Sequence, residues 1–218
     1  MAMSPESIDD IAIAVFARAP IAGEAKTRLM PLLGAEGAAS LQRALVRRAL
    51  GTATAARLGE VTLWCAPDAT HPFFAACGKE YGIKLRDQPA GDLGERMLGA
   101  FEVRRGPLIL IGSDCPMLTA TLLRQCARAL REGKDAVFLP AEDGGYALVG
   151  APRPLAPIFA EISWGTREVM AQTRARLRAS ALSWSEPAIV WDVDRPEDVA
   201  RLIAGGLLSE WQVTPARL

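Results

Sequence analysis

The strongest constraint on this chain is the way short, saturated apolar runs alternate with longer stretches of helical period. IAIAVFA at 11–17 and PLILIG at 107–112 contain no polar side chain. A run of that length, rich in Ile, Leu and Val, suits a strand buried on both faces, as in a parallel sheet covered by helices. EVTLWCA at 60–66, IKLRD at 83–87, DAVFLP at 135–140, residues 146–150 and AIVWDVD at 188–194 read as further strands. Between them, helices are expected over 36–58, 70–80, 94–104, 119–132 and 166–179, with a last one starting near Pro196. Pro20, Gly23, Pro31 and Gly34 mark a loop before the first helix. Strand–helix alternation of this kind predicts a three-layer α/β/α, Rossmann-like fold around a mostly parallel sheet. At a soft prior of roughly 150 residues per domain, 218 residues fit one domain. Residues 1–10 are expected to form a flexible tail.

Composition narrows the function classes. Half of the residues are hydrophobic and 23% are charged, which fits a chain that buries a real core. Lys+Arg and Asp+Glu balance at 25 each, which speaks against a general nucleic-acid binder or an acidic-membrane binder. The single histidine, His71, rules out His-rich metal centres, and any Ser-His-Asp or Cys-His scheme would have to use it. Cys65, Cys77, Cys115 and Cys126 form no C-x-x-C pair, so they read as buried, reduced thiols. The acidic, polar start lacks signal-peptide character and no run is long enough to span a bilayer, so a cytoplasmic protein is expected.

In parallel sheets ligands bind beyond the carboxyl ends of the strands, so the chemistry is sought there. The first strand ends at Arg18 and opens RAPIAGEAKTRL, where Gly23, Lys26 and Arg28 form a plausible phosphate cradle; a solvated surface loop is the plain alternative. Residues 17–57 carry seven basic side chains against two acidic ones, which favours the cradle. The fourth strand runs into Ser113-Asp114-Cys115-Pro116, holding a carboxylate at the sheet edge unless Asp114 only shapes the turn. Asp192 and Asp194, two residues apart in a strand-like run, would point to one side. Asp194 also reads as a helix start. Carboxylates from separate strand ends, facing a cationic loop, suit Mg2+ bridging protein to phosphate oxygens.

With AKTRL, GDLGERM, IGSDCP, EDGGY and DVDRPED in order over roughly residues 11–200, the chain resembles bacterial glycosyltransferases associated with radical-SAM genes, which have a GT-A (nucleotide-diphospho-sugar transferase) fold. S-D-x-P and D-x-D-x-P-E-D are also similar to pieces of the molybdopterin and phospholactate nucleotidyltransferases. The resemblance implies that Arg18, Gly23, Lys26 and Arg28 hold phosphates, and that Gly91, Asp92, Gly94, Glu95 and Arg96 form a nucleotide-proximal loop. It further implies Asp114, Asp192 and Asp194 as ligands of Mg2+ or Mn2+, with Gly144 and Gly145 facing sugar or acceptor and Glu142 or Asp143 as base. Trp164 and Thr166 would line the substrate side, although core packing suits Trp164 equally. S-D-C-P departs from the D-x-D of many GT-A glycosyltransferases, and the loop G-G-x-G-x-R-M of the nucleotidyltransferases is absent.

Three functions are therefore expected in order. The first is metal-dependent glycosyl transfer from a nucleotide-diphospho-sugar donor to a small acceptor. The second is guanylyltransferase-like transfer from a nucleoside triphosphate with pyrophosphate release, and the third is non-catalytic nucleotide binding. None involves nucleic acid or a membrane span, and all leave a homodimer open. His71 reads as structural, Cys115 as packing, Trp184 and Trp191 as core, and the arginines of TRARLRAS as a solvated helix face.

Overall fold

The computed structural model describes residues 10–207. Its strands are β1 (Ala12–Arg18), β2 (Val61–Ala66), β3 (Lys84–Asp87), β4 (Leu108–Gly112), β5 (Ala136–Pro140), β6 (Tyr146–Ala151) and β7 (Trp184–Ser185). The helices are α1 (Met30–Ala56), α2 (Pro72–Tyr81), α3 (Leu93–Arg104), α4 (Ala120–Arg131), α5 (Val169–Ala179) and α6 (Pro196–Ala204). The strands form one sheet in the order β3-β2-β1-β4-β6-β5-β7. Only β6 runs against its neighbours β4 and β5; the remaining pairs are parallel. The mixed, mostly parallel α/β sheet expected from the sequence is therefore present.

Period two along β1 explains the layering. Ile13, Val15 and Ala17 face a layer with Val46 and Leu50 of α1, Phe74 of α2, and Leu123 and Leu130 of α4. Ala12, Ala14 and Phe16 face Met97 and Phe101 of α3 and Met170 and Leu177 of α5. Both faces are covered, which is why the run carries no polar side chain. A third cluster packs Val199 and Leu202 of α6 on Leu29, Leu33, Leu41 and Leu45, with Trp191 and Val193 between. Because the chain winds from β1 to β2 and β3 and then returns to place β4 on the other side, the crevice of this topology opens at the carboxyl ends of β1 and β4.

Four boundaries differ from expectation. Pro31 and Gly34 lie within α1 rather than in the preceding loop. Proline is tolerated in a first helical turn, and Gly34, at φ 69°, kinks the helix where a Cβ would be strained. Residues 188–194 make only one parallel bridge, Val190 with Ala141. The edge of β5 is already occupied by β7 through Ala136–Trp184 and Val137–Ser185, a short strand the sequence pattern does not announce. Past Val190, Trp191 and Val193 turn into the α6 cluster instead of extending the sheet. Residues 1–9 of the expected tail lie outside the described residues, whereas Asp10 is ion-paired to Arg104 at 2.9 Å.

Gly150 of β6 sits opposite both Ile109 and Val137, and a Cβ there would lie 3.0 and 2.8 Å from their γ-carbons. Gly150→Ala is expected to destabilise the fold by roughly 1–3 kcal/mol through overpacking, read as a lower urea midpoint at unchanged slope.

Candidate active site

The loop leaving β1 is pinned before it reaches the site. Gln42 of α1 is buried, and its Nε2 donates to the Arg18 carbonyl at 3.0 Å; Arg43 donates to Pro20 O at 3.4 Å. The Arg18 side chain is left exposed at the strand end, and Gly23 follows in an open turn. Lys26 has a left-handed backbone and begins a single 3-10 turn over Thr27–Leu29. Its ammonium reaches Asp114 Oδ2 at 2.9 Å and donates to Val193 O at 2.7 Å, with only 7% of the side chain exposed. Arg28 lies on the surface and pairs with Asp194.

Asp114 stands at the end of β4. Ser113 Oγ donates to its Oδ1 at 3.1 Å, Val193 N donates to its carbonyl at 2.9 Å, and Arg48 Nε holds Pro116 O at 2.9 Å. Asp192 lies beside this joint. Burial pushes its carboxyl up to about 6, the Asp143 and Asp114 carboxylates push in the same direction, and Lys26 opposes them. Asp114, Asp143 and Asp192 therefore form one electrostatic group at the carboxyl edge of β4 and β5. Asp194 is engaged elsewhere: its carboxylate turns to Arg28, and its N–H is capped by Asp198 Oδ2 at 3.0 Å. The strand-like run that would have aligned Asp192 with Asp194 does not form.

The EDGGY turn presents Asp143 from the other side, with Oδ1 accepting from Gly145 N at 2.8 Å. Gly144, at φ +94°, passes so close to the Arg167 backbone that a Cβ would collide with it, and its carbonyl accepts from Met170 N at 2.9 Å. Glu142 points away into a two-point pair with Arg201, at 2.7 and 3.0 Å, which holds its carboxyl below the usual range. The same guanidinium lies over the Trp191 ring, 4.4 Å from the centroid. Arg201 thus links the Asp143 turn to the segment carrying Asp192.

The GDLGERM stretch performs helix-start work. Asp92 Oδ1 accepts from Glu95 N at 2.9 Å and Glu95 Oε2 accepts from Asp92 N at 2.7 Å, a reciprocal capping box on α3. Arg96 Nε donates to Gly91 O at 2.8 Å. Gly94 gives room to Trp164, whose indole atoms would lie 2.7 Å from a Cβ there. Trp164 also meets Tyr146 edge-on, with ring centroids 6.3 Å apart. Gly94, Tyr146 and Trp164 so form one wall, with Thr166 nearby donating to Ser163 O at 2.7 Å.

Several side chains found here were not singled out by sequence. Gln42, Arg201 and Gln88, whose Nε2 bridges the carbonyls of Ala17 and Trp64 at 3.3 and 3.1 Å, all support the carboxyl edge. Gln42 had a readable signal, a lone amide between Leu41 and Leu45 on an apolar face; Arg201 had none. His71 caps α2, its Nδ1 accepting from Phe73 N at 3.2 Å, and burial pushes the Cys115 thiol up to about 12, so both serve structure. The TRARLRAS arginines are less solvated than expected: Arg174 pairs with Glu186 at 2.6 Å, Arg176 with Glu161, and Arg178 lies over Trp184.

Among the described residues, no cluster of three or more His, Cys, Asp or Glu forms a ready-made metal cage. Asp192, raised by burial first and by the Asp143 and Asp114 carboxylates beside it, fits a site where a cation is held by one or two carboxylates, with phosphate and water completing its shell.

Residues 49–166 match the model of a family described as "Uncharacterized protein conserved in bacteria (DUF2064)". No curated protein matches the chain in sequence. Among solved structures, it is similar to a "putative nucleotide-diphospho-sugar transferase" from Desulfovibrio desulfuricans G20, at 29% identity and TM-score 0.81 over 89% of this chain and 87% of that one. A nucleotidyl transferase from Methanothermobacter shares the fold at 14% identity and TM-score 0.63, over 92% of this chain and 99% of that one. So does glucosyl-3-phosphoglycerate synthase from Mycobacterium tuberculosis, solved with Mn2+, UDP and glucosyl-3-phosphoglycerate, at 12% identity and TM-score 0.56, over 99% and 88% of the two chains. No helix among the described residues is long and apolar enough to cross a membrane.

The Asp192 shift predicts a pH dependence. Between the ordinary aspartate range and about 6, the folded chain keeps a proton that the unfolded chain has released, so stability falls as pH rises through that window. Asp192→Asn is expected to melt higher than the parent protein near pH ~8 and at nearly the same temperature near pH ~4, in metal-free buffer.

Proposed function

The chain belongs to the bacterial family DUF2064, and from this site we propose that it is a nucleotide-utilising transferase, acting first as a glycosyltransferase on a nucleotide-diphospho-sugar. The observation that carries the reading is the meeting of the Lys26–Arg28 loop with Asp114, Asp143 and Asp192 at the β1/β4 crevice. A cationic loop against an acidic group is what a diphosphate with its counter-cation requires. The similarity to the Desulfovibrio protein supports the donor class.

In this reading, Arg18, Lys26 and Arg28 hold the donor's phosphates. Asp114 and Asp192 would hold Mg2+ or Mn2+, which supplies neutralisation of the diphosphate as it departs. Asp194, paired with Arg28, would join them once phosphate engages that guanidinium. Asp143 takes the proton of the attacking hydroxyl; Glu142 is already committed to Arg201. Trp164, Thr166 and the backbone around Gly144 and Gly145 flank the sugar and acceptor. Gly91, Asp92, Gly94, Glu95 and Arg96 act by fixing the start of α3 beside them.

A second reading, nucleotidyl transfer from a nucleoside triphosphate, is favoured by Asp114 following its strand in S-D-C-P and by the fold shared with the Methanothermobacter enzyme. Product analysis separates the two. The glycosyltransferase reading expects nucleoside diphosphate from a sugar nucleotide and no pyrophosphate from any triphosphate. Asp114→Asn is expected to lower turnover by roughly 10²-fold or more, and undiminished turnover would remove Asp114 from the chemistry. Asp192→Asn is expected to weaken Mn2+ binding measured by calorimetry with nucleotide present.

A further inference from the structure

We infer that Lys26 is the resident counter-ion of the candidate metal site: it pairs with Asp114, and nucleotide phosphate must draw it away before a divalent cation can bind. The inference rests on the nucleotide-transferase reading above.

The geometry carries it. Lys26 Nζ lies 2.9 Å from Asp114 Oδ2 and 2.7 Å from the carbonyl of Val193, the residue between Asp192 and Asp194. The lysine side chain is 7% exposed while that of Asp114 is 47% exposed, so the ammonium is the sheltered partner and the carboxylate still faces solvent. An ammonium withdrawn from water stays charged only when it is paired and hydrogen-bonded, and these two oxygens meet that need.

The same oxygens set up a competition. A divalent cation on Asp114 would sit within a few ångström of the ammonium, and two cations at that separation repel strongly in a partly buried site. One must leave. Lys26 can, because its charge sits at the end of a flexible four-carbon stem and phosphate offers it an alternative anion. Arg28 repeats the arrangement at the surface, paired with Asp194. Nucleotide binding would therefore vacate Asp114, and by reciprocity a bound cation would strengthen nucleotide binding.

The experiment reads Mn2+ binding by electron paramagnetic resonance and needs no turnover. The wild-type protein, Lys26→Met and Lys26→Gln are titrated with Mn2+ alone; the wild type is also titrated with Mn2+ in the presence of UDP or GDP. Circular dichroism reports folding, and Lys26→Gln retains a donor for Val193 O if Lys26→Met does not fold. The expected result is weak binding of Mn2+ alone by the wild type and at least ~tenfold tighter binding by the folded lysine variants. Adding Asp114→Asn to the better-folded lysine variant should abolish that gain. If the wild type takes up Mn2+ with nucleotide but the lysine variants bind Mn2+ alone no more tightly, the counter-ion role is overturned and the metal reading stands. If no form binds Mn2+ even with nucleotide, both are overturned.

Discussion

Burying the Lys26 ammonium obliges three loops to meet that leave the sheet at different places. An ammonium taken out of water is costly unless it is fully paired. Its partners come from the end of β4, through Asp114, and from the Val193 carbonyl beyond β7. The backbone bond from Val193 N to Asp114 O closes the same joint from the other side. Gln42 and Arg43 hold the outgoing end of β1, so the lysine is delivered from a fixed base. Once these loops are joined, Asp114, Asp192 and Asp143 share one edge, and the charge that accumulates there is a consequence of the joint.

The zero net charge of the chain conceals how these charges are placed. Much of the basic excess of residues 17–57 is engaged locally in the fold. Arg43 and Arg48 donate to loop carbonyls, Arg47 pairs with Glu80, and Arg57 lies past the end of α1. Of the acids in 186–198, Glu186 binds Arg174, Asp198 caps α6 and Asp194 binds Arg28. Asp192 is the one drawn into the site by burial beside like charges. Segregation along the chain reduces, in the fold, to one lysine, two surface arginines (Arg18 and Arg28) and three carboxylates.

The parts of the fold that could be read from sequence are those governed by local pattern. The saturated runs of β1 and β4 can only be doubly covered strands, and capping chemistry at Asp92 and Pro196 marks helix starts. Strand order and the brevity of β7 depend on which edge of β5 is free, and no local pattern encodes that. The same limit applies to the site. Lys26 and Asp114 stand at strand ends and could be nominated one by one. Their direct contact, the pairing of Asp194 with Arg28 and that of Glu142 with Arg201 all arise from pairs 59 to 166 residues apart. Asp92 and Glu95 satisfy each other in a capping box, which a D-x-x-E pattern before a helix already permits.

In the proposed function, the β1/β4 carboxyl edge is where a nucleotide and its cation meet this protein. Crystals grown with Mn2+ and a nucleoside diphosphate, with data collected at the manganese absorption edge, test it most directly. An anomalous peak is expected against Asp114 and Asp192, with the diphosphate on the Lys26–Arg28 loop and the lysine turned from aspartate to phosphate. A nucleotide bound elsewhere, or bound at this edge with Lys26 still on Asp114 and manganese at another site, would contradict it.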